Sequence, residues 1–193
     1  AESVASPNEW YSRQARQLIQ QRATAGQDLT KAALKLMNTY QLTSSTPTAL
    51  RAMWTLNAIG SADEDWLLEQ TNDEREHIRT WAIKLLIDQG PLSTKTQKRF
   101  IEMAAKDKAG LVQLHLAGAL QKLPLKDRWP LANALVSQDT FAKDAVFPLM
   151  VWYGINPAVT EHRNEALKLV AQCKLPKVRQ FIARRLAGEV EKE

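Results

Sequence analysis

The chain has 193 residues, 45% of them hydrophobic, with a formal charge of +5; that is enough apolar surface for a core, and a positive excess that permits an acidic partner. Its longest apolar run, FPLMVWYG, is far shorter than the roughly 20 residues that span a bilayer, which excludes a membrane helix. Cys173 is the only cysteine, which excludes an internal disulfide and any multi-cysteine zinc or iron–sulfur site, and a buried structural thiol is expected there.

The first residues, AESVASPNEW, have neither a basic start nor an apolar stretch, so the chain reads as a mature or excised segment. SPNE at 6–9 predicts a helix start, with Ser6 as N-cap, Pro7 at the first helical position and Glu9 as reciprocal acceptor. The helix carrying Tyr11 is expected to stop at Gly26, and the amphipathic DLTKAALKLMNTY follows. Thr46 and Pro47 open a helix through Leu50 that stops at Gly60. SADE at 61–64 is a second capping box, ahead of ADEDWLLEQ. In NDEREHIRTWAIKLLIDQG, Ile78, Trp81, Ala82, Leu85 and Leu86 form one helical stripe that Ile83 and Ile87 widen, the pattern of an inner helix covered on more than one side. Gly90 ends it. STKTQKRFIEMAAKD is next, then a helix from Val112 that Pro124 terminates, then KDRWPLANALVSQ. The helix from Val146, with FPLMVWYGINP, is expected to stop at Gly154. TEHRNEALKLVAQC precedes a last helix from Val178 that stops at Gly188.

The longer helices thus recur at about 32 residues, with a shorter one between successive members and no alternating strand pattern. This predicts an all-α fold, an α-solenoid of about eleven helices in antiparallel pairs, as a single domain over 1–193 with no internal linker. The longer helices open with an acidic or amide residue, then an apolar residue and Arg: NDEREHIR, PTALR, LPKVR and, as a variant, KDKAGLVQ. This resembles the HEAT repeat. The resemblance implies a structural ladder in which Asp73 works with Arg79, and Asp107 with Gln113, at helix starts.

Residue patterns that carry chemistry are few. His77, His115 and His162 are far apart and form no metal-binding pair. His115 reads as a half-buried histidine bonded to a neighbour. No glycine-rich phosphate loop and no nucleophile elbow is present, and the acids at 63–65 suit a helix N-terminus. Trp54, Trp66, Trp81 and Trp129 are expected in the interior. Trp152 and Tyr153 lie on a helix that is apolar nearly all round, which adjacent repeats cover or which presents a patch to a partner. Arg13, Arg51, Arg79 and Arg179 recur at starts of the longer helices, the ones that commonly line the concave side of such a stack. Candidate interaction residues are therefore Arg51, Arg79, His115, Trp152, Tyr153 and Arg179. No catalytic, cofactor-binding or metal-binding residue is assigned.

NEWYSRQARQLIQQRA, LRAMWTLNAIG, HIRTWAIKLLID, LHLAGALQKLP, RWPLANAL, PLMVWYGINP and FIARRL, in this order, resemble the helical middle segment of large bacterial PVC-type haem-binding proteins, also described as membrane-bound dehydrogenases. The resemblance runs from about residue 7 to 187. It implies an exported or periplasmic protein, a propeller-like domain before this segment and a c-type cytochrome domain after it. No Cys-x-x-Cys-His is present, so no cofactor is expected in this segment. The function expected is a non-catalytic scaffold that docks a protein partner or neighbouring domains of the same chain, rather than nucleic acid. The alternative is a glycosylase of the DNA alkylation-repeat type or another nucleic-acid-binding solenoid, which would need Asp and Trp facing a basic groove.

Overall fold

The computed structural model describes residues 2–6 and 8–190. Among them are eleven α-helices and no strand, with helices packed against their neighbours, so the fold is all-α. The chain divides into two compact units, Ala1–Leu85 and Leu86–Glu193.

In the first unit a short 3-10 turn, Glu2–Ala5, precedes α1 (Glu9–Thr24), α2 (Thr30–Leu42), α3 (Thr46–Ala58), α4 (Glu64–Gln70) and α5 (Glu76–Asp88), whose last turn crosses into the second unit. Val4 of the 3-10 turn is buried, and its carbonyl accepts a bond from Ser12 Oγ at 2.9 Å. This turn packs on α1 and α3, and α2 packs along α3. Leu36, Met53, Leu56, Leu67, Ile78 and Ile83 are fully buried.

The second unit holds α6 (Thr94–Lys106), α7 (Gly110–Ala119), two 3-10 turns (Leu120–Lys122 and Leu125–Asp127), α8 (Trp129–Val136), α9 (Phe147–Val159), α10 (Arg163–Gln172) and α11 (Pro176–Val190). Two rows are evident: α6, α8 and α10 pack in series, as do α7, α9 and α11. Phe100, Leu116, Leu120, Leu135, Ile155 and Leu169 fill the core of this unit. Shielding the apolar sides of successive helix pairs in this way is how helical repeats acquire a continuous interior.

Helix ends show where the sequence signals were misread. α1 is capped by Asn8, whose Oδ1 accepts from Trp10 N at 3.0 Å, and Ser6 instead accepts from Asn8 N; Pro7 lies outside the described residues. α4 is capped by Asp63, not Ser61, through Trp66 N at 2.8 Å. A carboxylate or amide two positions nearer the helix takes the cap because it reaches the same free N–H groups. At α3 the cap is Ser45, with Thr46 and Pro47 in the first turn.

Glycine stops hold at Gly26 (φ 71°) and Gly60 (φ 72°), each with the paired backbone bonds of a left-handed helix end, and Gly90 (φ 131°) follows α5. Gly154 and Gly188 are not stops. Both lie inside helices, and α9 runs on through Pro157 to Val159. Pro157 falls in the last turn of α9 and removes one N–H donor there.

Cys173 is buried, and its thiol donates to Leu175 O at 3.4 Å. Burial pushes the thiol pKa up, against smaller opposing effects from the Leu175 backbone and Arg179. The native protein should therefore react with a thiol reagent such as DTNB far more slowly than a small-molecule thiol, and at full speed once denatured; equal rates would contradict the burial.

Candidate functional site

Polar groups at the turns bond the backbone, and what they take up is not left for chemistry. Before each of α3, α5, α7 and α9, a side chain accepts a bond from the backbone N–H two residues on. Thr43 takes Ser45 N at 3.1 Å, Asp73 takes Arg75 N at 2.8 Å, Asp107 takes Ala109 N at 2.9 Å and Asp144 takes Val146 N at 2.8 Å. These are Asx- or Thr-type turns, which orient the chain into the next helix. Six residues after two of these acids, a donor reaches back. Arg79 Nη1 bonds Asp73 O and Glu74 O, both at 2.9 Å, and Gln113 Nε2 bonds Asp107 O at 2.7 Å and Ala104 O at 3.1 Å. Arg and Gln thus do the same work of satisfying carbonyls.

Several of the bonds that reach the preceding helix pair come from residues that sequence reasoning passed over. Arg75 Nη1 reaches Thr43 O at 3.4 Å, Gln138 Nε2 reaches Ala104 O and Ala105 O at 2.8 Å each, and Lys174 N reaches Val136 O at 2.8 Å. Each ties a turn to the C-terminal end of α2, α6 or α8, where carbonyls lack helical partners. The only sequence signal was position, in the connection between two successive helices.

An electrostatic cluster also sits at such a turn. Asp73 and Arg75 form a two-point ion pair (2.7 and 2.9 Å), and Tyr40 OH donates to Gln70 Oε1 at 2.8 Å and lies 3.4 Å from Asp73 Oδ2. Trp66 meets the Tyr40 ring edge-on with centroids 5.2 Å apart. The Arg75 guanidinium, aided by backbone and Tyr40 bonds, holds the Asp73 carboxyl below the usual range against its partial burial. Burial first, then the Asp73 charge, pushes the Tyr40 hydroxyl up. Because the folded-state pKa of Asp73 is depressed, its stabilisation is present above the unfolded value near 4 and is lost as pH falls through the folded value. Asp73→Asn should cost about 2 kcal/mol at pH 7 and flatten the acid limb of the stability curve below about pH 4. Chemical denaturation across pH reads both; an unchanged acid limb would contradict this role.

The six candidate interaction residues separate on inspection. In the first unit, Arg51 is only 14% exposed in its side chain; it pairs with Glu9 and donates to Ser6 O at 3.2 Å. Glu9 also lies 3.8 Å from Arg13, so the basic stripe at these helix starts is partly neutralised. Arg79 is engaged as described. In the second unit, His115 Nδ1 lies 3.0 Å from Leu111 O of its own helix, and Trp152 stacks on Phe181 with centroids 5.4 Å apart. Arg179 is exposed near Cys173, and Tyr153 is 57% exposed.

Of the four tryptophans expected inside, only Trp129 is buried (4% exposed); Trp54, Trp66 and Trp81 are half-buried. Helical spacing places an indole on the inward side, but so large a ring also spans the edge of the stripe and keeps a rim in water. Trp54 and Trp81 meet at 4.7 Å, with Arg16 over the first ring and Lys84 over the second.

Two open hollows have volumes of about 540 and 660 Å³. The first is bordered by Asp28, Thr30, Leu34, Met37 and Ile59, the second by Ile87, Leu92, Gln97, Lys122 and Pro124. Asp28 is already occupied by Thr30, through both N and Oγ1. Among the described residues no group of three or more His, Cys, Asp or Glu is placed to hold a metal ion, and no helix is long and apolar enough to cross a membrane.

What stands open is a surface. α7 and α9 contain no charged residue in 10 and 13 positions. α9 is packed against α7 and α11, yet Val146 and Tyr153 remain 51% and 57% exposed. No family model, curated protein or solved structure matches this chain.

Proposed function

We propose that the chain is a non-catalytic helical-repeat scaffold that docks a protein partner or neighbouring domains of its own parent chain. The observation that carries this reading is the charge-free pair α7 and α9 with an apolar stripe left in water, a composition found at the centre of protein interfaces and unfavourable on a surface that meets only solvent. The turn acids support it from the other side, since Asp73, Asp107 and Asp144 are committed to backbone N–H groups. Within the resemblance to PVC-type haem-binding proteins, the docked bodies are the propeller-like and cytochrome domains of an exported dehydrogenase.

Separately expressed domains of those two kinds, titrated calorimetrically into this chain, should bind at micromolar affinity or better. Absence of binding to either, or oxidoreductase activity from this chain alone, would overturn the proposal.

A second reading, a nucleic-acid-binding solenoid of the DNA alkylation-repeat type, draws on the Arg16, Trp54, Trp81 and Lys84 series in the first unit, since aromatic rings flanked by cations suit bases and phosphates. Micromolar duplex binding near physiological salt that falls steeply as salt rises would favour it over docking.

A further inference from the structure

Building on the docking reading, we propose that the outward stripe of α9, centred on Tyr153, receives an acidic protein segment that lays an apolar side chain against Met150 and Tyr153. Val146, Met150, Tyr153 and Pro157 follow one another at helical spacings that align them in a single row. Three of the four are exposed, and Met150 is half-buried. The other sides of α9 are half-buried or covered. Gly154 presses on Leu120, and Trp152 stacks on Phe181 of α11 at an interplanar angle of 29°. On the α7 side the neighbour is Gly118, where a β-carbon would stand 3.7 Å from Met150 Cε, so no α7 side chain screens the row at that point.

Charge specifies the occupant. Within α7 and α9 there is none. Along α11, Lys177 and Arg184 are exposed one turn to either side of Phe181, the residue through which α11 stacks on Trp152, the neighbour of Tyr153 in α9. Lys177 lies near enough to Asp144, at the entry to α9, to help lower its carboxyl pKa, although bonds from Phe147 N and Val146 N contribute more. That carboxylate is thereby already engaged. Glu161 follows the far end of α9. The acids of the partner therefore belong beside Lys177 and Arg184, with its apolar side chains on Met150 and Tyr153. A nucleic acid would need cations along the track itself, and α7 and α9 supply none. Aromatic anchors ringed by complementary charge are the usual source of both affinity and selectivity at such faces.

The test uses the full chain and fluorescein-labelled synthetic peptides: one with leucines and glutamates at helical spacing, one with lysine in place of each glutamate, and an oligo-dT strand as the nucleic-acid arm. Anisotropy should show the glutamate peptide binding at least tenfold tighter than the lysine peptide or the oligonucleotide. Tyr153→Glu and Lys177→Glu, both at exposed positions and checked for unchanged thermal unfolding, should each weaken it at least tenfold. Trp10→Ala, exposed on the first unit, should leave it unchanged. Equal binding of the peptides, no binding, tighter oligonucleotide binding, or indifference to Tyr153→Glu overturns the inference. If the propeller-like or cytochrome domain still binds the Tyr153→Glu chain at full strength, this face is wrong while docking stands. If neither domain binds the unaltered chain, it is the docking reading that fails.

Discussion

Gly154→Ala is expected to destabilise the protein by about 3 kcal/mol, although alanine in a helix interior ordinarily gains up to about 1 kcal/mol over glycine. A β-carbon at 154 would stand 2.6 Å from Leu120 Cβ and 2.8 Å from its Cδ1. Leu120 is fully buried in the 3-10 turn after α7, and the nearest atom is its Cβ, which is fixed to the backbone. Rotating the side chain cannot clear it, so α9 and the turn must separate and lose the packing around them. Gly188→Ala supplies the control, because that position is helical and nothing lies within 4 Å of its added methyl; a gain of up to about 1 kcal/mol is expected there. Urea denaturation of the two variants should move in opposite directions, and a neutral Gly154→Ala would contradict the close approach.

Arg128→Met is expected to cost a similar amount, about 3 kcal/mol. Arg128 is buried at 9% exposure, and all three of its guanidinium nitrogens donate to backbone carbonyls: Nε to Leu123 O at 2.9 Å, Nη1 to Gly154 O at 2.6 Å and Nη2 to Gln121 O at 3.4 Å. It clamps the two 3-10 turns to the middle of α9. Desolvation lowers its pKa, which measures the cost of holding the charge there, and the carbonyl bonds offset that cost. Methionine keeps the stem but leaves buried oxygens without donors. Lysine should not rescue, since one ammonium cannot reproduce a planar fork that meets separate carbonyls. Both substitutions act at Gly154, so the double variant should depart from additivity by at least about 0.5 kcal/mol.

These two positions also show where the sequence was readable and where it was not. The period and the starts of α3, α5 and α7 were legible because they rest on local chemistry: apolar spacing, Thr46 and Pro47 in a first turn, and Asp73 and Asp107 bonding the N–H two residues on, whereas Thr43 and Asp144 gave no recognised signal and the α1 cap fell at Asn8 rather than Ser6. Gly26 and Gly60 could be recognised as stops for the same reason. Gly154 carries the same letter at nearly the same interval, but its glycine answers to Leu120, more than thirty residues away in sequence, and no local pattern reports that contact. Arg128 in DRWP resembles a surface cation before a helix, because nothing nearby reveals the carbonyls that fold around it. Trp54 and Trp81 follow helical core spacing, yet spacing cannot say whether a neighbouring helix covers the whole indole. The face on α9 was half legible. A helix apolar all round announced that something must cover it, while which sides α7 and α11 take depended on packing.

Hydroxyl-radical footprinting of the chain, alone and saturated with the domain that binds it, tests the docking surface most directly. Met150 and Tyr153 should lose reactivity on binding, while Trp10 and Tyr11, exposed on the first unit, should react as before. Unchanged oxidation at Met150 and Tyr153 alongside protection of Trp54 and Trp81 would place the interface elsewhere and contradict the account.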